Sequence, residues 1–257
     1  MKIALYQGPP TNGDVDGTVS RIESQLHAAA LAGASMVVFP ELFLPGYNRP
    51  DLHARLAQTK SGAWMDQLSS MAARFKCGLT IGWAERDQDT VYNAATCIDA
   101  NGNMIGHYRK IQLYGPMERQ SFKPGETYCT FDLGGTPAAL LICYDVEFAS
   151  HVRALAKAGV KLILVPTANP QGFEHVSRLL VPARAAEMAV TIVYANYCGV
   201  ENGLSFGGRS LIAGPQPVPI AQAGTSETLV IATIPDPADA IDAALLSTQL
   251  HDFTKVD

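Results

Sequence analysis

The chain has 257 residues, of which 47% are hydrophobic and 17% charged, and its net charge is −5. This is the balance of a soluble globular protein; it offers no basic footprint for nucleic acid, and no apolar run nears the roughly 20 residues of a membrane helix. The length permits a sizeable core, and with no linker or composition shift the whole of 1–257 reads as a single domain.

Met1 to Gln7 is too short for a signal peptide, and Lys2 to Gln7 reads as a first strand. A turn-rich stretch from Gly8 to Gly17 follows, then Val19, Ile22, Leu26 and Ala29 mark an amphipathic helix ending near Gly33. Met36 to Phe39 is a short apolar strand closed by Pro40-Glu41, and Leu44 to Asn48 is a loop by its Pro-Gly pair. Trp64, Leu68, Met71, Ala72 and Phe75 give a second helix, stopped at Gly78. Leu79 to Ala84 and Tyr92 to Asp99 read as strands, and Asn101-Gly102 signals a hairpin into Met104 to Ile111. A loop is expected from Gly115 to Gly125. Tyr128 to Leu133 and Ala138 to Ile142 are strands joined across Gly134-Gly135.

Cys143 sits directly after that last apolar run, and Phe148, Val152, Leu155 and Ala156 then recur at helical spacing as far as Gly159. Val160 to Val165 is another strand and Pro166 to Pro170 a loop. Val176, Leu179, Ala183, Ala186 and Val190 predict a further helix that starts late or kinks at Pro182. Thr191 to Ala195, Ser210 to Ala213 and Leu229 to Ile234 are strands. Asp236-Pro237 precedes an expected last helix over Ala238 to Leu246, and the tail is polar. The element order of strand, helix, strand, helix and then strands occurs once before and once after about residue 125. Helices between strands argue for parallel pairing, and hairpins add antiparallel strands, so the fold class expected is α/β with two packed sheets.

Five cysteines (Cys77, Cys97, Cys129, Cys143 and Cys198) form no C-x-x-C pair. Neither a zinc ribbon nor a disulfide framework is indicated, and a reduced, cytoplasmic setting is expected. Cys143 stands out by position. Free N–H groups and the positive dipole end at a helix start favour a thiolate, and they can hold an oxyanion that forms when the thiolate attacks a carbonyl. Its alternative is a small core hydrophobe, as free cysteines often are. Glu41, Lys110 and Glu118 also lie at strand ends or in the adjoining loops, where α/β proteins place ligands. Each alone reads more often as an ordinary surface charge. A Cys–His hydrolase using His107 or His151 as base is a separate reading.

In that order, Phe39-Pro40-Glu41, Tyr108-Arg109-Lys110 and Ile142-Cys143-Tyr144-Asp145 resemble the three signatures of the nitrilase superfamily of carbon–nitrogen hydrolases. The likeness spans essentially the whole chain and includes Ala195-Asn196, Gly203 to Phe206 and Gly207 to Ser210. It implies an α-β-β-α sandwich of two mixed sheets face to face with helices outside. The family's Glu, Lys and Cys fall on Glu41, Lys110 and Cys143, and its second glutamate falls on Glu118. Members commonly pair back to back, so a homodimer or higher homo-oligomer is implied, with Val176 to Val190 and the tail after Asp236 as its contact. No metal and no cofactor are implied.

The resemblance further implies a thioester mechanism. Glu41 acts as general base and acid, Lys110 and the Tyr144 N–H stabilise the oxyanion, and Glu118 holds Lys110 and helps to orient the substrate. Nitrile-cleaving members usually show Cys-Trp-Glu and amide-cleaving members often Cys-Tyr-Asp, so Cys143-Tyr144-Asp145 favours an amidase for a small amide substrate. Tyr47, Tyr114, Tyr144, Phe148 and Asn169 are the candidate substrate-binding residues. Glu147-Phe148-Ala149 departs from the Phe-Pro-Glu of many relatives, which leaves that pocket wall open. Alternatives are an N-carbamoyl amine hydrolase, an ω-amide hydrolase drawing on Arg119 or Arg178 for a distal carboxylate, a nitrilase, or an inactive binding relative.

Overall fold

Apolar runs flanked by turn residues set the strands, and in a computed structural model that describes residues 1–216, 218–234 and 245–254 they assemble into two sheets. The first half runs β1 (Lys2–Gln7), α1 (Val15–Leu31), β2 (Met36–Val38), α2 (Pro50–Leu56), α3 (Ala63–Phe75), β3 (Gly78–Asp87), β4 (Thr90–Ile98), β5 (Met104–Arg109) and α4 (Gly115–Ser121). The second half opens with β6 (Thr130–Leu133), β7 (Thr136–Leu140), a 3-10 turn at Cys143–Glu147, α5 (Ala149–Lys157) and β8 (Leu162–Pro166). A π-turn at Val176–Leu180 then leads into α6 (Val181–Met188) and β9 (Thr191–Ala195). β10 (Cys198–Glu201), β11 (Leu204–Gly207), β12 (Leu211–Ala213), β13 (Ala221–Gln222), β14 (Thr228–Thr233) and α7 (Gln249–Asp252) complete the described chain.

Each sheet has six strands among the described residues, ordered β14-β1-β2-β3-β4-β5 and β6-β7-β8-β9-β12-β13. Both carry a parallel centre, β1-β2-β3 in one and β7-β8-β9 in the other. Both are extended by one antiparallel strand on one side and two on the other. The alternation of side chains along β1 and β2 assigns the faces. Ile3, Leu5, Met36 and Val38 pack in one cluster with Leu140, Leu164 and Val193 of the other sheet. Ala4, Tyr6, Val37 and Phe39 point the opposite way, onto Ile22 and Leu26 of α1 and Leu68 and Ala72 of α3. Val152 and Leu155 of α5, with Val181 and Ala185 of α6, cover the second sheet. The fold is thus an α-β-β-α sandwich.

Several local expectations need correction. Gly115 to Gly125 is not loop throughout: Pro116 occupies the first turn of α4, where its missing N–H costs nothing. α2 was not legible as a helix and likewise starts on a proline, Pro50. At Pro182 the expected late start holds: a π-turn precedes α6, with the proline again in the first turn. The helix after Cys143 divides into the 3-10 turn and α5. The β10–β11 hairpin is additional. Of the helix expected over Ala238 to Leu246, Ala238 to Ala244 lie outside the described residues, as does Asp236-Pro237. Part of the polar tail forms α7. No helix among the described residues is long and apolar enough to cross a membrane.

Candidate active site

Glu41 leaves β2 through Phe39 and Pro40, and its position is fixed from both sheets. Gly82 N–H donates to the Pro40 carbonyl (3.2 Å), and Glu41 N–H donates to Thr167 beyond β8 (3.3 Å). The approach of β3 is close enough that a Cβ on Gly82 would lie 2.5 Å from Glu41 Cα and 2.6 Å from Leu42 N. Only glycine fits there. Leu42 turns away with φ +46°, which leaves the Glu41 side chain fully buried.

Lys110 follows β5 directly, its N–H bonded to the carbonyl of Asn93 on β4 at 2.8 Å. Its ammonium lies 2.6 Å from Glu41 Oε1 and 2.7 Å from Glu118 Oε1, with all three side chains buried. Asn93 Nδ2 also donates to Glu41 Oε1 (2.8 Å), whereas Glu41 Oε2 is buried without a partner among the described residues. Glu118 is held at both oxygens: Tyr47 OH donates to Oε1 (2.8 Å) and Tyr114 N–H to Oε2 (3.0 Å). Burial raises Glu41 to about 7 and Glu118 adds to the rise, against the pull of Lys110 and Asn93. Burial alone would lower Lys110, but Glu118 and Glu41 outweigh it and hold the ammonium charged, above the usual lysine range.

Cys143 stands where β7 meets the 3-10 turn, with φ +43°, a strained value for a residue with a side chain. Asp145 holds this elbow. Its Oδ2 accepts from the Ile142 N–H (3.1 Å) and Tyr108 OH (2.9 Å), and its Oδ1 accepts from the Gln112 N–H (2.7 Å). The Tyr144 N–H at the head of the turn has no acceptor among the described residues. Burial and the Glu41 charge push the Cys143 thiol well above its usual range, with Lys110 and the Ala168 N–H pulling the other way. The resting sulfur is therefore a neutral thiol within the field of the Glu41 carboxyl, not the thiolate that a helix start favours.

A cavity of about 10 Å³, room for about one water molecule, opens above the sulfur between Tyr47, Tyr114, Cys143, Tyr144, Glu147, Ala168, Asn169, Pro170 and Phe173. Four of the five anticipated substrate-binding residues are there: Tyr47, Tyr114, Tyr144 and Asn169. Phe148 is not; it packs edge-on behind Tyr144, ring centroids 4.9 Å apart. Arg119 and Arg178 are exposed and do not line the cavity. Neither histidine is aimed at the sulfur. His107 contacts Thr96 and Glu85, and His151 contacts Tyr128 and Gln112. No group of three His, Cys, Asp or Glu among the described residues is placed to hold a metal ion.

Sequence reasoning missed Asn93 and the Ala168 N–H, and it placed Tyr108 and Asp145 in motifs without their role of holding the elbow. Asn93 carried a signal, being an amide in the otherwise apolar run Val91 to Ile98 apart from its hydroxyl-bearing positions. Backbone donors carry none.

Comparison with known proteins gives concordant findings. The family model described as carbon-nitrogen hydrolase matches residues 2–241. A Pseudomonas protegens protein described as a hydrolase in the pqqF 5′ region is 39% identical over 91% of this chain and 82% of its own. An (R)-stereoselective amidase from a Pseudomonas species is 31% identical over 88% and 82%. The amidase of Nesterenkonia sp. AN1 superposes with a TM-score of 0.90 at 34% identity, covering 98% of this chain and 96% of that one. Variants of that amidase have been solved in complex with butyramide, and with acrylamide added at the active-site cysteine.

Proposed function

Because the chain belongs to the carbon–nitrogen hydrolase family of the nitrilase superfamily, and is thereby a hydrolase of non-peptide carbon–nitrogen bonds, we propose that it is an amidase releasing ammonia from small carboxylic amides through a Cys143 thioester. One observation carries this reading. Lys110 and Asn93 tether one oxygen of Glu41, and its other oxygen is left buried and unpartnered in the same cluster as the thiol.

Glu41 Oε2 accepts the thiol proton as the sulfur bonds to the amide carbon. The carbonyl oxygen becomes an oxyanion facing the Lys110 ammonium and the Tyr144 N–H, a type of contact commonly worth about 3 kcal/mol. Glu41 then returns the proton to the nitrogen, the C–N bond breaks, ammonia departs, and a thioester remains. Water gives its proton to Glu41 and its oxygen to the acyl carbon, the C–S bond breaks, and the sulfur recovers the proton from Glu41. Glu118 keeps Lys110 in place and, through Tyr47 and Tyr114, shapes the cavity wall.

The Nesterenkonia amidase complex with butyramide supports a small aliphatic amide as substrate. An ω-amide hydrolase is less well supported, because no arginine, lysine or histidine lines the cavity. We also propose a homodimer, supported by the exposure of Leu179 (66%) on the outer face of the π-turn before α6. Ammonia release from propionamide and butyramide tests the activity. Cys143→Ala should abolish it while the protein stays folded, and mass spectrometry of wild type should find a transient acyl adduct on Cys143. Turnover by Cys143→Ala would end the assignment.

A further inference from the structure

The cavity above Cys143 contains one group that the hydrolytic steps do not use. Glu147, the last residue of the 3-10 turn, lines it beside Tyr114, Tyr144 and Phe173. Its carboxylate has neither an ion pair nor a hydrogen bond among the described residues. The nearby guanidinium of Arg184 instead donates to the Glu147 backbone carbonyl (3.2 Å) and pairs with Glu187. The groups whose fields reach Glu147 are the His175 ring, set against Phe173, and the buried Lys110, which is already engaged by Glu41 and Glu118. Half-burial raises the Glu147 pKa, yet nothing in the wall balances its charge.

The surrounding rings suit a cation. Tyr114 packs edge-on against Tyr144 at 5.2 Å and against Phe173 at 6.1 Å, and all three rings line the cavity. Aromatic walls with a carboxylate attract an ammonium by its charge and by the ring quadrupoles. Charge balance points the same way: Lys110 is bonded to Glu41 and Glu118, and no lysine, arginine or histidine lines the cavity beside Glu147. A substrate carrying a second carboxylate is repelled by such a site, a neutral one gains nothing from Glu147, and a protonated amine pairs with it.

We propose that Glu147 is a specificity-determining residue that selects short amides bearing a protonated amine, seating the ammonium between its carboxylate and the rings of Tyr114, Tyr144 and Phe173. The substrate class rests on the amidase reading above. Because the contact is made in ground state and transition state alike, its effect belongs in KM more than in kcat.

β-Alaninamide and butyramide form a matched pair, the same length with an ammonium in place of a methyl. At pH 7.5 wild type should show a kcat/KM at least about tenfold higher for β-alaninamide, and raising ionic strength should shrink that ratio. Glu147→Gln should lower the ratio about tenfold, chiefly through KM, and Glu147→Lys should invert it and favour succinamate. A ratio unchanged within about twofold in Glu147→Gln, or a wild-type preference for butyramide, overturns the inference while leaving the amidase reading intact. Calorimetry separates the reverse case: β-alaninamide should bind Cys143→Ala and lose at least about tenfold in affinity in the Cys143→Ala/Glu147→Gln double variant. Glu147-dependent binding with no amide hydrolysed by wild type would sustain the cation site and sink the amidase; binding indifferent to Glu147 would sink the cation site.

Discussion

Lys110 is the single cation between two buried carboxylates, 2.6 and 2.7 Å from them. Removing it strands two charges that have no other cationic partner within the cluster, and breaking such a buried pair typically costs about 3–5 kcal/mol. Lys110→Met is therefore expected to lower the melting temperature by about 10 °C, given roughly 2–4 °C per kcal/mol in a chain of this size, and to abolish ammonia release. Calorimetric melting checks it, and a loss under about 2 °C would mean that the carboxylates find relief elsewhere. At this scale the sequence was informative for the charged residues and nearly silent on their supports. Glu41, Lys110, Glu118 and Cys143 belong to short motifs that a chain reader can match. Asn93, which shares Glu41 Oε1 with Lys110, sits mid-strand with no motif around it. The Ala168 N–H has no side-chain signature at all, since any residue but proline supplies it.

Elements deliver those side chains, and two contacts set how well. β3 reaches the Glu41 turn only because Gly82 has no Cβ. In Gly82→Ala the new methyl meets backbone of Pro40, Glu41 and Leu42 at 2.5–2.7 Å, so the turn must move. We expect about 1–3 kcal/mol of destabilisation and at least tenfold loss of kcat with the fold retained, read by circular dichroism beside steady-state kinetics. Normal kcat would mean that Glu41 placement tolerates the shift. Asp145 fixes the nucleophile elbow through three donors. An Asn turns one acceptor into a donor, so Asp145→Asn sets N–H against N–H or against Tyr108 OH, at a cost of about 1–3 kcal/mol. A positioning role predicts kcat falling more than KM, whereas a purely structural role would lower the melting temperature alone. The helices α1 and α3 and the strands β1 through β5 were legible, the helices by their spacing and the strands as apolar runs bounded by turn residues. α2 and α4 were not: each has seven residues and carries a proline in its first turn, which in sequence looks like a loop signal although it suits that position. The β10–β11 hairpin turns on Asn202-Gly203, both at positive φ, an Asn-Gly signal that stood between strands too short and, with Gly199 inside β10, too weakly patterned to be read as strands.

At the scale of the whole molecule, the repeated element order on either side of residue 125 becomes two sheets with the same parallel centre and antiparallel flanks, β14 crossing back to complete the first, and their joint interior sets the chemistry of pH. The site groups lie at the carboxyl ends of β2, β5, β7 and β8 in that dry interior, so Glu41 sits near 7 and Asp145 near 6, both raised first by burial. Glu85, at 1% exposure, goes the other way: burial would raise it, but Arg109 and His107 hold it down at about 2. A carboxyl held low contributes stability that is fully present above its unfolded pKa and disappears as pH falls toward 2. A carboxyl raised in the native state keeps a proton that the unfolded chain has released, so stability declines as pH climbs from about 4.5 to 7 and stays reduced above that. At 1.36 kcal/mol per decade, the rise of Glu41 from 4.5 to about 7 amounts to about 3 kcal/mol. The base, however, works only as a carboxylate, so kcat/KM should rise along an acid limb with an apparent pKa near 7. Stability is therefore expected to peak at about pH 4–5, two or more decades below the plateau of activity. Urea unfolding from pH 3 to 9, run beside the rate profile, checks both, and Glu41→Gln should flatten the decline between pH 5 and 7 while removing turnover. Stability level or rising across that interval, unaltered by Glu41→Gln, would mean that the Glu41 proton is not held by the folded interior, and the general-base assignment would lose its electrostatic basis.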